Sequence, residues 1–354
     1  MRILFTSRHY LPRIGGLQLS AHQLGLRVMA RGHDIAVLTT TDAFRDPRVA
    51  LLGSLQRPSG PALVPDDGFD YPVWRVSEAR RGPAAALEKF QPDAVVAHVG
   101  GRTTLGFTRG VLHAAARRKV PTALYFRDVE GVQLLDDRSV RPTGVLTNAQ
   151  RITDLVATKG WRSPTIPSVV ETDAYRTDST RDVMLFVNPR SQRKGVDIAW
   201  ALAAARPDVP FVFLEAWRFT PEIRAELERR AAALGNVEVR ASVRELDRIY
   251  ADARVLFAPY EDSRPRVVAE AQSNAIPVLG ARVPALVEAI GAGGVLVDFD
   301  APIEEWVAAL STLWDDPVGY AQYCEAARTH SRRDDMRPEW LAEQFEHEVE
   351  RLLT

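Results

Sequence analysis

Short apolar runs alternate with longer mixed segments from one end of the chain to the other. The runs Arg2 to Thr6, Asp34 to Thr39, Val73 to Val76, Ala94 to His98, Thr122 to Phe126 and Gly144 to Thr147 are rich in Val, Leu, Ile and Phe. Such runs read as strands buried on both faces. A helix is expected over Leu17 to Arg31, stopped by Gly32, and another over Ala149 to Lys159. A second series follows at Val183 to Asn188, Phe211 to Glu215, Val237 to Arg240, Val255 to Ala258, Ile276 to Leu279 and Gly294 to Val297. The tail reads as three helices: Ile303 to Trp314, Val318 to Thr329 and Pro338 to Leu353. Strands alternating with helices predict parallel α/β architecture.

Two breaks interrupt this rhythm. Residues Asp42 to Asp70 are polar and rich in proline and glycine, and are expected to be loop or irregular structure. The stretch from Trp161 to Asp182, with Pro164 and Pro167, is the best linker. The expected division is therefore residues 1–165, residues 166–337 and a last helix over 338–354. Two α/β domains joined by a short linker leave a cleft, and ligands of open parallel sheets bind beyond the carboxyl ends of the strands.

Composition narrows the class. An apolar content of 46% with 26% charged residues is that of a globular protein. A net charge of −1 argues against a nucleic-acid partner held by bulk electrostatics. Cys324 is alone, which rules out a disulfide framework or a cysteine metal cluster. The opening MRILFTSRHYLP does not read as a signal peptide, and no window approaches about 18 consecutive apolar residues. A cytoplasmic setting without a transmembrane segment is expected, with peripheral contact to a membrane left open.

Chemistry gathers at the carboxyl ends of predicted strands. The first loop ends in Gly15-Gly16 before a helix, where a backbone can pass close to a ligand and helix N–H groups lie beyond. It is not a Gly-x-Gly-x-x-Gly pattern, which lowers an NAD reading. His98 ends one strand before Gly100-Gly101, and Arg127 and Asp128 end the next. These last two are candidates for the acceptor side or for a structural ion pair. After the strand ending at Asn188 come Arg190, Arg193 and Lys194-Gly195, clustered cations suited to a diphosphate.

The richest segment runs from Ala258 to Val278. A strand leads into a loop with Glu261, Asp262, Ser263 and Arg264, then into a helix opening near Arg266 and Val267 and carrying Glu270. A helix start suits a phosphate, and a carboxylate there can accept hydrogen bonds from sugar hydroxyls. Both together are what a nucleotide-sugar requires.

This segment resembles the donor motif of retaining glycosyltransferases of the two-Rossmann (GT-B) type, family 4. In that family two glutamates stand seven residues apart, the second followed by a helix and a Pro-Val strand. Glu270 matches the second, and Pro277-Val278 the strand. Asp262 stands at the first, Glu261 is one residue out of register, and Ser263-Arg264-Pro265 replace Gly-Phe-Gly. The first loop and Lys194-Gly195 resemble the family too, whereas Pro189 takes the place of its arginine, so Arg190 or Arg193 would serve.

The resemblance implies a GT-B architecture, two Rossmann-like parallel-sheet domains facing a cleft, with the last helix crossing back onto the first. It implies a retaining transfer from an NDP-sugar donor to a small-molecule, glycan or glycolipid acceptor, with the nucleotide-sugar as co-substrate and no other cofactor. It assigns catalytic contacts to His98 and Asp262. Donor contacts fall to Gly15, Gly16, Arg190, Arg193, Lys194, Glu261, Ser263, Arg264, Arg266, Val267 and Glu270. No metal is expected, and Asp298-Phe299-Asp300, with metal-motif spacing, reads as a decoy. Glu288 reads as structural. A nucleotide-sugar-binding accessory protein without catalysis and a sugar-nucleotide epimerase are the alternatives. A phosphorylase of the glycogen type would need a longer chain.

Overall fold

The computed structural model describes residues 1–41, 62–76, 82–189, 194–215, 219–241, 243, 245–261 and 265–354. The chain divides into two compact units, Met1–Val169 with Arg337–Thr354, and Val170–Met336.

Among the described residues, the first unit holds a seven-stranded sheet. Its strands are β1 (Arg2–Thr6), β2 (Asp34–Thr40), β3 (Val64–Pro65), β4 (Val73–Val76), β5 (Ala94–Val99), β6 (Thr122–Phe126) and β7 (Gly144–Thr147). They lie in the order β3-β4-β2-β1-β5-β6-β7. Every pairing is parallel except β3 with β4, where Val64 stands opposite Arg75. This short strand falls in a stretch expected to be irregular. Its proline is tolerated because β3 is an edge, where a missing N–H costs no ladder bond.

Helices α1 (Gly16–Ala30), α2 (Gly82–Phe90) and α3 (Leu105–Arg117) connect these strands, and α4 (Gln150–Thr158) follows β7. One face of the sheet, with Ile3, Phe5, Val37 and Tyr125, packs on Leu24 and Val28 of α1. The same cluster includes Leu341, Phe345 and Val349 of the terminal helix, Pro338–Glu350. The other face, with Leu4, Leu38 and Val95, meets Leu87 of α2 and Val111 of α3. Ile166 belongs to this unit, because its N–H bonds Thr147 O and its carbonyl accepts the Tyr125 hydroxyl at 2.5 Å.

The second unit holds β8 (Val183–Val187), β9 (Phe211–Leu214), β10 (Val237–Arg240), β11 (Ala253–Ala258), β12 (Val278–Ala281) and β13 (Gly294–Val297). The order is β10-β9-β8-β11-β12-β13, all parallel. Its helices are α5 (Val196–Ala205), α6 (Pro221–Leu234), α7 (Arg266–Ser273), α8 (Pro284–Ile290), α9 (Ile303–Trp314) and α10 (Pro317–Ser331). Strand β12 starts two residues later than its apolar run suggests. Ala275 takes φ 53 and the Ile276 N–H returns to Ala271 O, closing α7. The ladder begins only where Leu256 N donates to Pro277 O. Phe186, Phe213, Phe257 and Trp306 form the aromatic centre of this core.

Both sheets follow one plan. Counting only parallel strands, each has the order 3-2-1-4-5-6 of a dinucleotide-binding fold. The order reverses between β1 and β5, and again between β8 and β11. Ligands of such sheets bind outside the strand ends at that reversal. The loops after β1, β5, β8 and β11 are therefore the ones to inspect.

Candidate active site

In the second unit, β8 and β11 are neighbours, with Leu185 opposite Leu256. Their following loops leave the sheet side by side. Asn188 follows β8 in the left-handed region at φ 64, and among the described residues its buried Oδ1 has no partner. Gly195, at φ 68, caps α5. A side chain there would overlap the carbonyl and ring of Pro259 in the other loop. Glycine is thus required twice, by conformation and by contact. The Lys194 ammonium sits 4.3 Å from the centroid of the Tyr260 ring. The Tyr260 hydroxyl donates to Val187 O at 3.2 Å, tying the second loop back to β8. Arg190 and Arg193, with Asp262, Ser263 and Arg264, lie outside the described residues.

Helix α7 starts after Pro265, whose extended backbone (φ −79, ψ 139) supplies no side-chain cap. Val267 is partly buried in its first turn and Glu261, in the loop before it, is exposed. Glu270 sits one turn further and is only 4% exposed. Its Oε2 accepts from the Tyr250 hydroxyl at 2.7 Å, and its Oε1 lies 3.3 Å from Arg266 Nε. The Arg266 guanidinium also reaches the Tyr175 hydroxyl at 3.4 Å.

The Arg266 guanidinium turns inward to the carboxylate four residues on. The i,i+4 spacing puts both groups on one helix face. Once both are buried, neither charge is tolerable alone.

The phenols around this pair remain donors. Burial, and then the Glu270 charge, push Tyr250 well up and Tyr175 up to about 12. The same two causes raise Tyr260, so Glu270 and Lys194 share Tyr260 as a neighbour. The patterns considered above miss Tyr175, Tyr250 and Tyr260. Only Tyr260 had a sequence signal, two residues before Asp262; nothing local marks the other two.

The first unit offers a different chemistry. Gly15 is extended at φ −169 and buried, and α1 opens at Gly16 with no side-chain cap and no acid in its first turn. His98, at the end of β5, is 1% exposed. Its ring packs edge-on to Phe5 at 5.1 Å and tilts against Tyr125 at 5.4 Å. Among the described residues neither ring nitrogen has a hydrogen-bond partner. Burial, and then the Arg127 charge, hold it well below the usual histidine range, so it is neutral near pH 7.

Among the described residues Arg127 and Asp128 are each held by other groups. Arg127 stacks over the Tyr125 ring at 4.5 Å and donates to Ser168 Oγ at 2.7 Å. Asp128 is extended, which places its carboxylate to accept from Glu130 N at 2.8 Å and cap the following 3-10 turn.

The remaining candidates lie elsewhere. Glu288 is partly buried on α8. Asp298 pairs with Arg282 at 3.0 Å, and Asp300 is exposed. Among the described residues no group of three or more His, Cys, Asp or Glu could hold a metal ion. No described helix is long and apolar enough to cross a membrane.

Residues 182–316 match the model of the family "Glycosyl transferases group 1". No curated protein sequence matches the chain. Among solved structures, sucrose-phosphate synthase from Thermosynechococcus elongatus superposes with a TM-score of 0.77 at 14% identity, covering 99% of both chains. The Anabaena protein HepE in complex with UDP-glucose gives 0.76 at 16% identity, covering 99% of this chain and 100% of that one. UDP-GlcNAc 2-epimerase from Neisseria meningitidis bound to UDP-GlcNAc gives 0.59 at 13% identity, over 99% and 100%. Residues 182–316 are thus similar to the group 1 glycosyltransferases, and the chain as a whole shares the GT-B fold of these structures.

Proposed function

We propose that this protein is a retaining glycosyltransferase moving a sugar from a nucleotide-sugar to an acceptor hydroxyl. One observation carries the reading. Lys194-Gly195 and Pro259-Tyr260, far apart in sequence, meet at the strand-order reversal of the second unit. That is where a phosphate and a ribose would be gripped together. HepE, whose structure holds UDP-glucose, makes UDP-sugars the first donors to test.

In this reading the second unit holds the donor. Lys194, with Arg190 and Arg193, and the first amides of α7 take the diphosphate charge that grows as the bond to the sugar breaks. These cations do the work of a metal. Glu270 accepts from ribose hydroxyls and Asp262 from hydroxyls of the transferred sugar. The first unit takes the acceptor, a small molecule, glycan or glycolipid. The anomeric carbon leaves its phosphate oxygen and joins the acceptor oxygen on the same face. The acceptor proton passes to the departing phosphate, so no strong protein base is required. His98, neutral and without a partner for either nitrogen, suits a sugar hydroxyl, which can both donate and accept. In this reading the protein works in the cytoplasm.

The test is incubation with a panel of NDP-sugars, following binding and slow donor hydrolysis, with the anomeric configuration of any product read by NMR. Saturable binding and a retained anomer are expected. Failure to bind every donor would sink the proposal, and an inverted product would remove its retaining part. A second reading, a donor-binding protein without turnover, draws on the Glu270 carboxylate being enclosed by Tyr250 and Arg266. Binding with neither transfer nor hydrolysis would favour it.

A further inference from the structure

Glu270 and Arg266 form a buried charge pair at a place where the reading above puts a donor's ribose. Their side chains are 5% and 4% exposed. Burying two charges costs free energy, and a hydrophobic pair of similar volume is often as stable or more so. The pair is therefore a poor stability device, and its position suggests another use. Glu270 is met on Oε1 by Arg266 Nε and on Oε2 by the Tyr250 hydroxyl. Two donors on two different oxygens set the plane of the carboxylate. Arg266 is itself fixed at its other end by the Tyr175 hydroxyl. A carboxylate offers about four lone-pair positions, more than these two donors fill.

We propose that Arg266 is a positioning residue, which with Tyr250 orients the Glu270 carboxylate to accept both ribose hydroxyls of the donor nucleotide. The inference rests on the donor reading above. A ribose diol brings two donors on adjacent carbons, and a carboxylate with fixed plane meets both at once. A carboxylate free to rotate loses part of that advantage to ordering. Arg266 touches no substrate in this scheme and acts only through Glu270.

The test compares UDP, GDP, ADP and CDP, each beside its 2′,3′-dideoxy counterpart, by calorimetry on the full chain. The wild type is expected to prefer the ribose form of its best nucleotide by about 10-fold or more, as hydrogen bonds to a charged group predict. Arg266→Leu should weaken the ribose form more than the dideoxy form, so that most of that preference is lost. Arg266→Lys keeps the charge without the planar fork and should fall between. Tyr250→Phe removes only the Oε2 donor and should also lower the preference.

Each failure has its own signature. A wild type that binds none of the nucleotides defeats the donor reading itself. A wild type that binds ribose and dideoxy forms alike leaves the donor reading standing but removes Glu270, and with it this proposal. An Arg266→Leu protein that keeps the wild-type ratio, or loses both forms equally, assigns Arg266 to packing alone. If Arg266→Leu shows no cooperative melting, the ratio in Arg266→Lys and Tyr250→Phe decides, and an unchanged ratio in both overturns the proposal.

Discussion

The carbonyl of Pro259 occupies the space that any side chain at Gly195 would need, so the loops after β8 and β11 touch backbone to backbone. Gly195 also sits at φ 68, where a β-carbon is strained. Gly195→Ala should therefore destabilise the protein by about 1–3 kcal/mol, adding left-handed strain to a local clash. Urea unfolding checks this. Donor binding should weaken with it, because the two loops can no longer close on each other.

Lys194 stands over Tyr260 without being buried there. Replacing it with methionine keeps much of the contact area and removes the charge. Nucleoside diphosphate affinity should fall about 10-fold or more, and nucleoside affinity should stay within error. Titrating UDP against uridine separates the two. Equal losses for both would mean that Lys194 shapes the loop and does not bind phosphate.

His98 gives the stability a pH dependence with a definite sign. Its folded value lies well below 6.5, its ordinary value, chiefly through burial. Below pH 6.5 the unfolded chain takes up a proton that the folded one refuses, so stability falls as pH falls. The slope from this residue alone is about 1.4 kcal/mol per pH unit, until the folded value is reached. Urea midpoints at pH 7.5, 6 and 5 should show it. His98→Phe should flatten that part of the profile.

In the first unit Arg75 and Asp66 are fully buried, with Arg75 Nε donating to Asp66 Oδ2 at 2.7 Å. Arg75 also bonds Leu11 O and Thr40 O, joining the first loop to the sheet. Asp66→Asn should cost about 3–5 kcal/mol by removing a buried charge that faces the guanidinium. The double variant Asp66→Leu with Arg75→Met should recover part of that loss. Equal stability of the single and double variants would count against the pairing.

Phe345 of the terminal helix is fully buried beside Phe5, at 5.7 Å, and Tyr125, at 6.3 Å. Phe345→Ala should cost about 3–5 kcal/mol, the usual range for a large buried ring. Thermal melting would register it. The loss should be felt in the first unit, although the residue lies at the far end of the chain.

Much of the architecture was legible beforehand. Strands β1, β4, β6, β7, β10 and β13 fall at the limits expected from the sequence, because their Val, Leu and Phe positions stand between turn-forming or polar segments. The two-residue β3 was not legible. Val64-Pro65 has no periodicity, and its pairing with β4 is a tertiary event. The start of β12 was missed because Ala275 and Ile276 are apolar yet belong to the end of α7.

The candidate site divides in the same way. Lys194, Gly195 and Glu270 could be singled out from residue type and position, since phosphates need cations and helix starts, and sugars need acceptors. That Arg266 faces Glu270, with Tyr250 on the carboxylate's other oxygen, could not be read from the chain. Which way a long side chain turns depends on what the packed core leaves open around it.

Residue order alone settled which segments become strands and helices, and which carry charge suited to a nucleotide. Those properties are local, decided by side-chain size and polarity within a few residues. The three-dimensional arrangement decided which segments become neighbours. It set β8 next to β11, buried His98 in the first unit, and brought Tyr250 to Glu270. Those outcomes depend on strand order and on the filling of one continuous interior, which no short window of sequence contains.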